Sequence, residues 1–145
     1  MRIAVLADTH DHYPRGLPER LRAADEIWHL GDVCHPAVLV AFEQLGPPVR
    51  VVLGNCDWNA AWPHEIRLQQ EGVRLVLIHA PPAKAPPETD VILHGHTHVA
   101  RDETDPRGVR WLNPGCISRP RGHAPPSFAW LTIRPGRLDW RVVLL

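Results

Sequence analysis

The chain alternates between short apolar runs and polar turns, and the first half repeats one unit. "RIAVLA" (2–7) is nearly continuous and rich in aliphatic residues, as in a strand buried on both faces. "LPERLRAAD" (17–25) follows with helical spacing, Pro18 sitting in its first turn. "EIWHL" (26–30) reads as a second strand, and "PAVLVAFEQLG" (36–46) as a helix opening on Pro36 and closing on Gly46. "VRVVLG" (49–54) is a third strand. This β-α-β-α-β order predicts parallel strands joined by helical crossovers.

After Trp62 the pattern changes. "EIRLQQ" and "VRLVLIH", joined by Glu71-Gly72, predict an antiparallel hairpin, and "PPAKAPPE" (81–88) an exposed loop. "DVILH" (90–94) returns to a buried strand. "VARDET", "GVRWLN", "SFAWLTI" and "RLDWRVVLL" then alternate as short strands separated by turns such as 105–108. The expected fold is α/β: a single domain over 1–145, a two-sheet mixed β-sandwich flanked by helices. Trp111, Trp130 and Trp140 are expected as core or strand-face aromatics, not as ligand platforms.

Composition narrows this picture only modestly. A chain of 145 residues, 44% hydrophobic and 22% charged, is long enough to bury a proper core. Its formal net charge is zero, which gives no electrostatic case for general nucleic-acid or acidic-membrane binding. The sixteen prolines and the near-exclusive use of arginine over lysine carry no functional message. Cys34, Cys56 and Cys116 lie far apart without a CxxC pair, against a disulfide framework or zinc knuckle. The first residues are strand-like and no apolar stretch approaches a membrane span, so neither leader nor anchor is expected. A reducing cytoplasm is the expected compartment, and self-association into a homo-oligomer stays open.

The chemistry sits immediately after five of the apolar runs. These lead into Asp8-Thr9-His10, Gly31-Asp32, Gly54-Asn55-Cys56-Asp57, His79, and His94-Gly95-His96-Thr97-His98. Sites in open α/β folds form at the carboxyl ends of strands, where loops diverge. Carboxylates and imidazoles crowded over a core are costly to desolvate, and bound cations remove that cost. Seven candidate ligands exceed one tetrahedral zinc and suit two cations sharing a carboxylate. Such pairs, about 3.5–4 Å apart, serve phosphate-ester hydrolysis. Mn²⁺ is the expected metal, and Fe²⁺, Ni²⁺ and Zn²⁺ accept the same mixed nitrogen and oxygen set.

In this order "DTH", "GD", "GNCD", "H" and "GHTH" resemble the calcineurin-like metallophosphoesterase family, specifically its small prokaryotic phosphodiesterase branch. "NPGC" (113–116) resembles the family's downstream Asn-Pro-Gly-Ser. The resemblance implies that Asp8, His10 and His98 bind one metal, that Asn55, His79 and His96 bind the other, and that Asp32 bridges them. It further implies a metal-dependent hydrolase that cleaves small phosphodiesters or phosphomonoesters through a hydroxide shared by the metals. Asn55 would also help orient the phosphate.

Several positions depart from the family pattern. Where many members carry a proton-donating histidine, this chain has Cys56, either a weaker proton donor or a small space-filler. Ala80 replaces a usual glycine, and Cys116 a serine. His12 and His35 are candidate substrate-rim imidazoles, and Asp57 a candidate for orienting a ligand histidine. The substrate rim is expected from 11–16, 34–36, 57–64 and the proline loop. His29 and His94 are expected to be packed strand residues. An alternative is a non-catalytic scaffold like the retromer subunit that shares the family fold. The complete ligand set argues against it, and surplus ligands argue against a mononuclear zinc hydrolase.

Overall fold

A computed structural model describes residues 1–58 and 61–145. The run at 2–7 forms β1 (Arg2–Leu6), and "EIWHL" forms β2 (Glu26–His29). β3 (Val49–Val51) is shorter than its predicted span. The reason is that the Val52 N–H still bonds the His29 carbonyl, whereas Leu53 turns away to Pro63. β1, β2 and β3 are parallel, as the crossover pattern predicts. β9 (Ser127–Arg134) and β10 (Arg137–Leu144) complete this first sheet antiparallel, in the order β10-β9-β1-β2-β3.

The second sheet runs β4-β5-β6-β8-β7 and is also mixed. β4 (Glu65–Gln70) and β5 (Val73–Ile78) make the predicted hairpin. Glu71 and Gly72 both have positive φ, the signature of a two-residue type I′ turn whose twist matches the strands. β6 (Val91–His94) lies parallel to β5 and to β8 (Arg110–Asn113), and β7 (Arg101–Thr104) pairs antiparallel to β8.

Strand alternation divides the core. Ile3, Val5 and Ala7 face Leu75, Leu77 and Leu93 between the sheets, while Ala4 and Leu6 face the helical side. α1 (Leu17–Leu21) stops short of the predicted 25. The Ala24 N–H closes a turn on Leu21, and Asp25 is drawn into a backbone bond with Arg2. The second predicted helix begins as a 3₁₀ turn (Pro36–Leu39) and continues as α2 (Val40–Glu43). Both helices pack on the first sheet through Leu17, Leu21, Leu39 and Phe42. The outer face of the second sheet is instead covered by the proline loop, whose Ala85 packs with Val76, Ile92, Val109 and Trp111. Trp111 and Trp130 are buried, and Trp140 packs half-buried against the inter-sheet core. Among the described residues no helix is long and apolar enough to cross a membrane.

Candidate metal centre

The carboxyl ends of β1, β2 and β3 in one sheet meet those of β5 and β6 in the other along a single edge. Asp8 and His10 leave β1, Asp32 leaves β2, Asn55 follows β3, His79 ends β5, and His96 and His98 follow β6. Neighbouring loops are stitched together by backbone bonds from Asp8 to Gly31 and from His10 to Asp32, 3.0 and 2.9 Å long. Two glycines permit this crowding. A Cβ on Gly31 would lie 2.8 Å from His79 Nδ1, and one on Gly54 would collide with the Asp32 backbone nitrogen.

The seven predicted ligands come together as two groups that share Asp32. In the first, His10 Nε2 is 3.3 Å from His98 Nε2 and 3.6 Å from Asp32 Oδ2, and His98 Nε2 is 3.4 Å from Asp8 Oδ1. One ligand atom from each of Asp8, His10, Asp32 and His98 lies within 4.8 Å of all the others. In the second, His79 Nε2 is 2.9 Å from Asn55 Oδ1 and 3.3 Å from Asp32 Oδ1. His96 Nδ1 is 3.0 Å from Asn55 Oδ1 and 3.3 Å from His79 Nε2. Atoms about 2.1 Å from one cation and 90–110° apart lie about 3.0–3.4 Å from each other, the range most of these pairs occupy.

Two carbonyls fix which ring nitrogens are bare. A carbonyl only accepts, so His79 Nδ1–H donates to Leu30 O at 2.8 Å and His98 Nδ1–H to Arg119 O at 2.7 Å. In its neutral form each ring then turns an Nε2 lone pair toward other acceptors, an arrangement that a bound cation satisfies. Asp8 Oδ2 is buried with no hydrogen-bond partner. Burial pushes the Asp8 carboxyl up to about 7 against the pull of His79. Burial also opposes ionisation of Asp32, but bonds from His79 and the Cys56 N–H overcome it and hold that carboxyl down at about 2. For His79 burial is likewise outweighed, by Asp32 and the Leu30 carbonyl, and its pKa rises; burial lowers those of His10 and His96. The donor set fits divalent cations.

Backbone strain concentrates at the same edge. Among the described non-glycine residues ten have positive φ, and seven of these are Asp8, His10, Asp11, Asp32, Cys34, His96 and His98. Each costs about 1 kcal/mol or more and persists only where surrounding contacts enforce it.

Other predicted residues are placed differently. Asp57 does not orient an imidazole. Its carboxylate accepts the backbone N–H groups of Asp32, Gly54 and Cys34 at 2.9, 2.7 and 2.7 Å, pinning the loops that carry Asp32 and Asn55. Cys56 donates its backbone N–H to Asp32 Oδ1 at 2.8 Å, and its thiol accepts from Asn55 Nδ2 at 3.4 Å. Burial and the Asp32 charge push that thiol's pKa up. His35 lines a cleft beside the centre with Asp11, Cys34, Pro36 and Trp58. His12 is exposed, its backbone closing a turn on Thr9. The proline loop serves the outer sheet face instead of this cleft, and positions 59 and 60 of the expected rim lie outside the described residues. His29 and His94 are fully buried strand residues, as expected.

The sequence reading missed the bracing role of the segment after β8. Asn113 Nδ2 donates to Gly95 O and Thr97 Oγ1, holding the "GHTH" loop. Ser118 Oγ donates to Asp8 O at 2.9 Å, and Arg119 supplies the carbonyl that fixes His98. The signal for Asn113 was present, since it too is a polar residue ending an apolar strand parallel to β6.

Comparison with known proteins agrees with this fold. The chain is 29% identical over 157 residues to the probable metallophosphoesterase YsnB of Bacillus subtilis, covering 92% of this chain and 85% of that protein. It is 30% identical over 147 residues to the phosphodiesterase YfcE of Escherichia coli, covering 89% and 71%. The solved YfcE structure superposes with a TM-score of 0.75 over 91% of this chain and 88% of that one, at 26% identity. Vps29 of Entamoeba histolytica, solved with Zn²⁺, gives a TM-score of 0.77 over 99% of both chains at 20% identity, a likeness of fold alone. A family model described as a calcineurin-like phosphoesterase superfamily domain matches residues 1–136, and the chain belongs to that superfamily.

Proposed function

We propose that this protein is a dinuclear-metal-dependent phosphoesterase that hydrolyses small phosphodiesters. One observation carries the reading: Asp32 turns one carboxylate oxygen to each donor group, Oδ2 to His10 and Oδ1 to His79. Asp8, His10 and His98 would hold one cation and Asn55, His79 and His96 the other, with Asp32 common to both. Two such cations, Mn²⁺ in this reading, supply charge neutralisation for phosphoryl oxygens and hydroxide at neutral pH.

The chain's own groups do the positioning. Leu30 and Arg119 hold the His79 and His98 rings in the tautomer that leaves Nε2 free. Asn55 stands on the open side, where its amide N–H donates to the Cys56 thiol at 3.4 Å and would be placed to help orient a phosphate. Cys56 occupies the proton-donor position, and a thiol held above its ordinary range by burial and the Asp32 charge is a weak donor to an alkoxide. The reading therefore favours diesters with acidic leaving groups over phosphomonoesters, and a cytoplasmic small molecule as substrate. The scaffold alternative rests on the fold shared with Vps29.

Hydrolysis of bis-p-nitrophenyl phosphate with Mn²⁺ tests the proposal. Asp32→Asn is expected to lower kcat/KM about a thousandfold, the equivalent of about 4 kcal/mol of transition-state stabilisation. Full activity in that variant would remove the shared-carboxylate mechanism. A wild-type protein that binds metal but hydrolyses no phosphate ester would favour the scaffold.

A further inference from the structure

Among the described residues a pocket and a cleft flank the centre, one beside each donor group, and they differ in size and wall chemistry. Beside Asn55 and His79 lies a compact pocket of about 290 Å³, closed by Leu53, His64, Ile78 and Ala80. Beside His10 lies a cleft of about 620 Å³, walled by Asp11, Cys34, His35, Pro36 and Trp58. It adjoins the first donor group: Asp11 follows His10 in the chain, and Cys34 Sγ lies 3.6 Å from His10 Nδ1. Its volume falls within the range of about 300–1,000 Å³ typical of small-molecule sites, and the compact pocket just below it.

Trp58 is 90% exposed, the most exposed large apolar residue described. An indole left in water at the wall of a cleft that opens on a phosphoester centre offers a stacking face. Pro36 adds a second flat, rigid wall. Asp11 spends one oxygen on the His35 backbone N–H, at 2.7 Å, and a carboxylate has further acceptor sites for hydroxyl groups. Among the described residues no lysine or arginine lines the cleft, and Asp11 repels further anionic groups. A flat ring, a hydroxyl-bearing spacer and no second phosphate describe a single nucleoside. An alkyl chain would leave both the indole face and Asp11 unmatched, and a polynucleotide would bring phosphates against Asp11.

We infer that the Trp58 cleft receives the nucleoside of a mononucleoside phosphodiester while the compact pocket beside Asn55 receives a small second substituent. The inference rests on the phosphoesterase reading and names its substrate class.

The test pairs two esters with a common p-nitrophenolate leaving group, thymidine 5′-p-nitrophenyl phosphate and methyl p-nitrophenyl phosphate, on the Mn²⁺-loaded protein. The wild type is expected to show the lower KM for the thymidine ester. Trp58→Ala should raise that KM about tenfold with kcat within twofold, leave kcat/KM for the methyl ester within twofold, and be largely rescued by Trp58→Phe. Separately, thymidine alone is titrated while the Trp58 indole N–H resonance, assigned by its loss in Trp58→Ala, is followed by NMR; a saturable shift is expected. An unmoved resonance, or equal losses on the two esters, would overturn the nucleoside assignment. If neither ester is hydrolysed but the indole resonance shifts, the cleft stands and the phosphoesterase reading fails.

Discussion

The two donor groups that meet at Asp32 are built differently. The first is enclosed: Asp8 is fully buried, its carbonyl takes bonds from Ser118 and Cys116, and His98 is tied to Arg119. The second is open: His79 is buried and tied to Leu30, but Asn55 and His96 are exposed. Burial removes competing water and packing fixes the donors in advance, so under the proposed dinuclear reading the enclosed group would hold a cation more tightly than the open group.

The largest expected effect separates the halves directly. His98→Ala should lower the affinity of the tighter metal site about a thousandfold, by removing a ligand worth several kcal/mol. His96→Ala should leave one tightly held equivalent after dialysis against chelator. Metal content by elemental analysis checks this, and equal losses in the two variants would erase the contrast.

Asp57→Asn tests the staple common to both halves. Its carboxylate holds three backbone N–H groups, and an amide presents one oxygen to the same donors. Unfolding stability is expected to fall by about 1–3 kcal/mol, and metal affinity about tenfold to a hundredfold at both sites. Denaturant titration and metal binding measure the two, and a loss confined to one site would show that Asp57 serves a single loop.

The smallest effect lies beneath the enclosed half. His29 accepts the Gly31 N–H at Nδ1, so its Nε2–H donates to the hydroxyl of Thr9, between Asp8 and His10. Burial, with the charges of His79 and His10 acting in the same direction and Asp32 opposing, lowers its pKa to about 3. Below the ordinary histidine value the unfolded chain takes a proton that the folded chain refuses. His29 alone is therefore expected to take about 1.4 kcal/mol per unit from the stability of the metal-free protein as pH drops from about 6 toward 3, with buried His94, lowered to about 4, adding in the same direction. His29→Gln should flatten that slope in denaturant titrations, and an unchanged slope would assign the acid sensitivity elsewhere.

Much of this was legible in the chain because it is local. Apolar or alternating runs marked most strands, the polar, exposed β7 excepted, and Glu71-Gly72 announced a hairpin because two successive positive-φ positions suit that turn. Helix ends were misjudged at 21 and 43, since long-range bonds such as Asp25 to Arg2 end a helix that local spacing would extend. Asp57 was misread for a related reason. A carboxylate beside ligands suggests an imidazole partner, but backbone N–H groups of strained loops were closer and otherwise unsatisfied.

By itself the sequence determined which residues could serve as donors and that each would stand at a strand end, because the two-residue period and turn chemistry act over a few neighbours. Only the packed structure decided how those donors divide into an enclosed and an open group, which ring nitrogen each histidine turns inward, and that Trp58 faces a cleft. Those outcomes depend on how two sheets meet and on carbonyls such as Leu30 and Arg119, which lie 49 and 21 residues from the rings they orient.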